Sequence, residues 1–348
     1  MGNSLEIIQD LLQKVVSYSG SDLHITPDRS PYVRVNGELV SIDPISPINE
    51  SILLDFLHSR VPESKMEILG NQGDIDFSFE LRDGIRFRGS AFHARSKINL
   101  ALRLLSEHIP SFDEIQLPEK PRSWSQNQTG LVIVTGPTGS GKSTTIASMV
   151  NEANMNRDSH ILTIEDPVEY VFPQARGLVR HREIGIDTPD YPRAIRGALR
   201  EDVDILVIGE MRDQETIAAA ITVAETGHLV FATLHTSGAA QAIDRIVDAF
   251  DYSAQPLIRS RLSACLIGVV YQRLLKIEDK GRAAAFEVLV SNYGVRNLIR
   301  EGKTHQIPNL MTTNRADGMQ TMETALKDMV EEGRISESQF KDFMIQNQ

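Results

Sequence analysis

The chain has 348 residues, 41% of them hydrophobic and 24% charged, which describes an ordinary globular protein of about two domains. A formal net charge of −11 argues against a protein built to coat nucleic acid. The single cysteine, Cys265, excludes a disulfide framework within the chain and any multi-cysteine metal site.

The first stretch, 5–17, places Leu5, Ile8, Leu11, Leu12 and Val15 at helical spacing. It has no basic region before a long apolar core, so no signal peptide is expected there. Short alternating runs follow at 23–26, 32–35 and 38–42, with Asn36-Gly37 as a hairpin turn between the last two. Residues 48–57 read as a helix. Residues 75–81, 85–91 and 99–105 read as strands, with Asp83-Gly84 turning the chain between the first two. Residues 1–118 are therefore expected to form a small α+β domain. Residues 119–129, with two prolines close by and several polar side chains, read as a linker.

From residue 130 the pattern changes. Continuous apolar runs at 131–134, 161–164, 205–208 and 229–232 suit strands buried on both faces of a parallel sheet. Helical segments such as 214–225 lie between them, so 130–348 is expected to be an α/β domain. Residues 240–348 read as mostly helical, including 256–275, 293–302 and 319–333. No window reaches the uninterrupted apolar length of a membrane span.

The run at 131–134 leads into Gly136-Pro137-Thr138-Gly139-Ser140-Gly141-Lys142-Ser143-Thr144, a complete phosphate-binding loop followed by a helical stretch. Gly136, Gly139 and Gly141 let backbone N–H groups wrap a phosphate, and the helix adds its positive N-terminus. Lys142 is suited to the β- and γ-phosphates of ATP, and the Ser143 hydroxyl to a direct bond with Mg²⁺.

Three further strand ends point to hydrolysis. The strand 205–208 runs into Gly209-Glu210, where a carboxylate holds Mg²⁺ through water. Strand 162–164 ends on Glu165 and Asp166, and a carboxylate at this point can act as general base toward a water. Glu165 is the first choice for that role, ahead of Glu169. The strand 229–234 ends at His235 and Thr236, a position suited to sensing the γ-phosphate. Phosphoryl transfer also needs cations on the developing charge, often from a neighbouring subunit. Arg86, Arg88, Arg95 and Arg103 in the first domain are the candidates as a set, and Arg193, Arg196 and Arg200 form a second group just before Glu201-Asp202.

These motifs carry a resemblance. GPTGSGKST (136–144), TIEDPVEY (163–170), ALREDVDILVIGEMRD (198–213) and TGHLVFATLHT (226–236) are similar to the Walker A, Asp-box, Walker B and His-box motifs of the secretion-type ATPase superfamily. Within it the chain most resembles PilT-type retraction ATPases of type IV pili. SDLHIT (21–26), PYVRVNGELV (31–40), RFRGSAFHAR (86–95), HREIG (181–185), VRNLIREGKTHQI (295–307) and GMQTMETAL (318–326) extend the likeness over nearly the whole chain.

The resemblance implies a PAS-like N-terminal domain and a RecA-like ATPase domain with a helical C-terminal region from about residue 240. It implies a homohexameric ring with ATP between subunits, acting on a pilus platform protein at the cytoplasmic face of the inner membrane. Membrane association would run through that partner only, and no nucleic-acid partner is implied. Glu165 would be the base, Glu210 the Walker B acid, His235 the sensor, and Arg88, Arg95 and Arg103 the arginines. Assembly ATPases usually carry a four-cysteine zinc insert, which one cysteine cannot build. The first alternative is a related secretion-system or accessory pilus ATPase of the same superfamily; a RecA-like nucleic-acid motor ranks behind it, and the acidic charge counts against it.

Overall fold

The computed structural model describes residues 2–44, 47–81, 84–277 and 281–346. Packing groups the chain into two compact units. One comprises Met1–His108 with Asp166–Val171 and Glu183–Asp187. The other comprises Ile109–Glu165, Phe172–Arg182 and Thr188–Gln348.

The first unit contains α1 (Gly2–Ser17), β1 (Asp22–Ile25), β2 (Tyr32–Val35), β3 (Glu38–Ser41), α2 (Glu50–Arg60), α3 (Glu63–Gln72), β4 (Asp74–Glu80), β5 (Arg86–Ala94) and β6 (Lys97–Leu104). Its six strands form one antiparallel sheet in the order β3-β2-β1-β6-β5-β4. Alternation is the reason it folds this way: β4 buries Ile75, Phe77 and Phe79 and turns Asp74, Asp76 and Glu80 outward. Phe79 stacks on Phe77 and Phe87 at ring distances of 5.9 and 5.6 Å and meets the ring of Phe56 edge-on at 5.2 Å. Asn49 caps α2 by accepting the Ile52 N–H. Asp83, half of an expected turn, lies outside the described residues.

The second unit contains α4 (Glu119–Trp124), β7 (Gly130–Thr135), α5 (Lys142–Asn156), β8 (His160–Glu165), β9 (Leu178–Glu183), α6 (Tyr191–Ala198), β10 (Ile205–Ile208), α7 (Gln214–Glu225), β11 (Leu229–Leu234), α8 (Ala239–Asp248) and α9 (Gln255–Cys265). It continues with β12 (Leu266–Ile277), β13 (Gly281–Val290), α10 (Tyr293–Glu301), α11 (Ile307–Thr313), α12 (Met322–Glu331) and α13 (Glu337–Gln346). Seven strands form a sheet in the order β13-β12-β7-β11-β10-β8-β9. The five from β12 to β8 run parallel, and β13 returns antiparallel. Every residue of β7, β10 and β11 is buried, as the apolar runs require.

Two readings of the sequence need correction. Residues 256–275 are not one helix: α9 ends at Cys265, and β12 and β13 add a long hairpin to the sheet. A short apolar run cannot be assigned to helix or strand by periodicity, and the β-branched pair Val269-Val270 was the strand signal here. Residues 119–129 carry α4, whose Trp124 packs into the second unit's core with Val132, Val134 and Val270, so this stretch is part of a folded unit. Among the described residues no helix is long and apolar enough to cross a membrane.

Candidate functional site

In an open parallel sheet, ligands meet the carboxyl ends of the strands, where chain connections diverge to either side. All four motifs lie at that edge of the second unit. Register fixes this: Ile164, Ile208, Ala232 and Ile133 lie level across β8, β10, β11 and β7. The residues that follow each of them therefore emerge side by side.

The loop after β7 turns on Gly136, at φ 147°. A Cβ there would lie 2.3 Å from the Gln272 carbonyl oxygen, so only glycine lets the loop pass this close to β12. The next element, α5, begins with Gly141 as its N-cap and no side-chain cap, which leaves its first-turn N–H groups to a phosphate. Lys142 is buried, and its ammonium donates to the carbonyls of Gly136 and Pro137 at 3.0 Å each. That curls the loop around the cation. Gln272 secures the far side: its amide donates to the Ser140 carbonyl at 2.7 Å and accepts the Thr145 hydroxyl at 2.7 Å.

His235 stands between the loop and Glu210, just beyond the end of β10. Its Nδ1 is 3.5 Å from Lys142 Nζ, and its Nε2 is 3.4 Å from Glu210 Oε1. The other oxygen of Glu210 accepts from Arg212 Nε at 2.8 Å. Burial pushes the His235 pKa below the ordinary histidine value; Lys142 and Arg212 act in the same sense and Glu210 opposes them. Thr236 is tied to the end of β7, where its hydroxyl and that of Thr135 meet at 2.8 Å. The Gly209 N–H donates to the Ile164 carbonyl at 2.8 Å, which sets Glu165 beside the Gly209-Glu210 corner. The Glu165 carboxylate lies 3.9 Å from His181 Nδ1, and His181 meets the Thr163 hydroxyl at 2.8 Å.

The donor set fits a hydrated Mg²⁺ held with a phosphate chain. Among the described residues no group of three or more His, Cys, Asp and Glu side chains is placed to hold a metal ion. A cation here would rely on the Ser143 hydroxyl, on Glu210 through water and on the nucleotide's own oxygens, the usual way Mg²⁺ is bound.

The arginines belong to the first unit. Arg88 pairs with Asp76 at 3.2 Å and Glu169 at 3.5 Å, and Arg103 with Asp22 at 2.8 Å. Arg95 is exposed at the turn between β5 and β6, with φ 52°. Sequence reasoning missed Gln272, although it lies in the run that was read as helix.

Fold and site together define a P-loop ATPase, and the comparisons agree. The family model described as "Type II/IV secretion system protein" matches residues 2–342, and the chain belongs to that family. It is 42% identical over 308 residues to a twitching motility protein of Neisseria gonorrhoeae, covering 88% of this chain and 82% of the relative. It is 41% identical over 333 residues to the type IV pilus retraction ATPase PilT of Pseudomonas aeruginosa, covering 94% and 95%. The solved structure of the pilus retraction motor PilT with bound ADP superimposes with a TM-score of 0.87 at 41% identity, covering 96% of this chain and 95% of that one.

Proposed function

We propose that this chain is the ATP-hydrolysing motor that powers type IV pilus retraction, working as a homohexameric ring on a pilus platform protein at the cytoplasmic face of the inner membrane. The observation that carries the reading is the chain of contacts Lys142–His235–Glu210 at the carboxyl edge of the parallel sheet, with Glu165 at the adjoining corner. A relative alike over nearly its whole length was solved with ADP.

The geometry supports these proposed roles. The Gly136–Thr144 loop and the α5 N-terminus take the phosphates, with Lys142 as their buried cation. Ser143 and Glu210 would hold Mg²⁺, which when bound neutralises phosphate charge. Glu165 orients and deprotonates the attacking water. His235 contacts both Lys142 and Glu210, so it is placed to register whether a γ-phosphate is present. Arg88, Arg95 and Arg103 are proposed to reach the nucleotide of a neighbouring protomer, Arg88 and Arg103 by exchanging their present partners.

The test is a count of surface pili on cells whose chromosomal copy carries Lys142→Ala. Excess pili with lost twitching motility are expected. Bald cells would mean that the chain drives assembly, and an unchanged count would assign it to another secretion machine; either result overturns the retraction reading.

A further inference from the structure

The chain leaves the second unit directly after Glu165. β8 ends on that residue, whereas Asp166–Val171 and Glu183–Asp187 pack with the first unit. Glu183 fixes this stretch of backbone. It is only 4% exposed. Its Oε2 accepts the Val168 N–H at 3.1 Å and the Ser78 hydroxyl at 2.6 Å. Its Oε1 is buried, makes no hydrogen bond, and lies 4.0 Å from Lys65 Nζ. Lys65 is buried too, and its ammonium donates to the Asp76 carbonyl at 2.9 Å. The Val168 carbonyl accepts from Arg86 at 3.0 Å. Both backbone polar groups of Val168 are therefore gripped by side chains, three residues beyond Glu165. The turn after Glu183 is shaped to the same lysine: Gly185 has φ 77°, and a Cβ there would lie 2.9 Å from Lys65 Cε.

A buried ion pair is a poor source of stability, because desolvation cancels most of the attraction and apolar replacements often do as well. What this pair supplies is a fixed place for the Glu183 carboxylate, and through it for Val168.

We propose that Glu183, held by Lys65, is a positioning residue for hydrolysis: it tethers the backbone at Val168 and so aims Glu165. The inference rests on Glu165 being the general base. It predicts that tether length matters more than charge. Glu183→Asp keeps the charge and withdraws the carboxylate by one methylene. The pair Lys65→Met with Glu183→Gln removes both charges and keeps an oxygen within reach of the Val168 N–H.

The experiment measures kcat, the affinity for a fluorescent ADP analogue, and hydrogen exchange of the 166–171 segment in the full-length variants, with Glu165→Gln alongside. For Glu183→Asp, kcat is expected to fall on the order of tenfold to a hundredfold, the cost of misplacing a reacting group by about 1 Å, with nucleotide affinity unchanged and exchange faster. The double variant keeps an acceptor for the Val168 N–H but loses the Lys65 contact that fixes it, so kcat should fall by roughly threefold to tenfold, less than in Glu183→Asp, with exchange between that variant and wild type. Full-speed Glu183→Asp, equal losses in kcat and affinity, unchanged exchange, or a double variant as slow as Glu183→Asp would each overturn the proposal. If Glu183→Asp fails to fold, the double variant decides: wild-type turnover and exchange in it would overturn the proposal. A Glu165→Gln protein that still turns over would sink the base assignment instead, whatever the Glu183 variants do.

Discussion

Lys142 Nζ and His235 Nδ1 lie 3.5 Å apart, and the far nitrogen of the same imidazole faces Glu210 at 3.4 Å. Burial and the ammonium both disfavour a protonated ring. In the folded state the ring takes up its proton only below the ordinary histidine value of about 6.5. Between that value and the lowered one, the unfolded chain binds more protons than the folded chain, so stability rises with pH. The contribution is present above about pH 6.5 and is lost as pH falls through the folded value. Urea unfolding of the wild type and of His235→Asn between pH 5 and 8 should show wild type losing ground on acidification. Parallel curves would refute this account of His235.

Glu165→Gln is expected to lower turnover by about 10²–10⁴-fold, the usual size of a general-base contribution, and to leave ATP binding intact. The amide keeps the shape of the carboxylate and removes its basicity. Single-turnover hydrolysis with a parallel binding titration checks both halves. Near-normal hydrolysis would sink the assignment.

How much of this was legible in the sequence depends on what a residue's partners are. Glu165, Glu210 and His235 each end an apolar run that has to be a strand buried on both faces, and parallel pairing brings such ends to one edge. Gln272 and Glu183 gave no such signal, because their roles depend on contacts across the fold. Gln272 meets Ser140 across 132 positions, and Glu183 meets Ser78 across 105. The β12–β13 hairpin was missed for a local reason: an apolar segment after a true helix looks like its continuation.

Gln272→Ala tests whether β12 shapes the phosphate loop. It would leave the Ser140 carbonyl and the Thr145 hydroxyl without their buried partner, at about 1–3 kcal/mol for each group left unsatisfied. Part of that loss should appear in nucleotide binding, as an affinity lower by roughly tenfold, since one partner is in the loop itself. Gln272→Glu should be worse, because a carboxylate would then face the Ser140 carbonyl. A titration with a fluorescent ADP analogue reads the effect, and an unchanged affinity in Gln272→Ala would confine the residue to the fold.

Glu287 links two helix starts from the middle of β13. One oxygen accepts the Ala239 N–H at 2.7 Å, at the start of α8, and the other accepts the Met322 N–H at 3.2 Å, at the start of α12. Helix N-termini carry unpaired N–H groups and a positive dipole end, so a single carboxylate satisfies both. Glu287→Ala removes both acceptors at once, and about 2–4 kcal/mol of stability should go with them. Burial raises the pKa of this carboxyl, and the two backbone bonds only partly offset it. The sign is therefore opposite to that of His235. The folded state holds the proton more tightly than the unfolded chain, so this contribution is present below the ordinary glutamate value of about 4.3 and declines as pH rises through the folded value. Chemical denaturation of wild type and Glu287→Ala across pH 4 to 8 should show the wild-type advantage shrinking with rising pH while staying positive. An advantage that grows with pH would mean that the two N–H bonds to the carboxylate outweigh its desolvation.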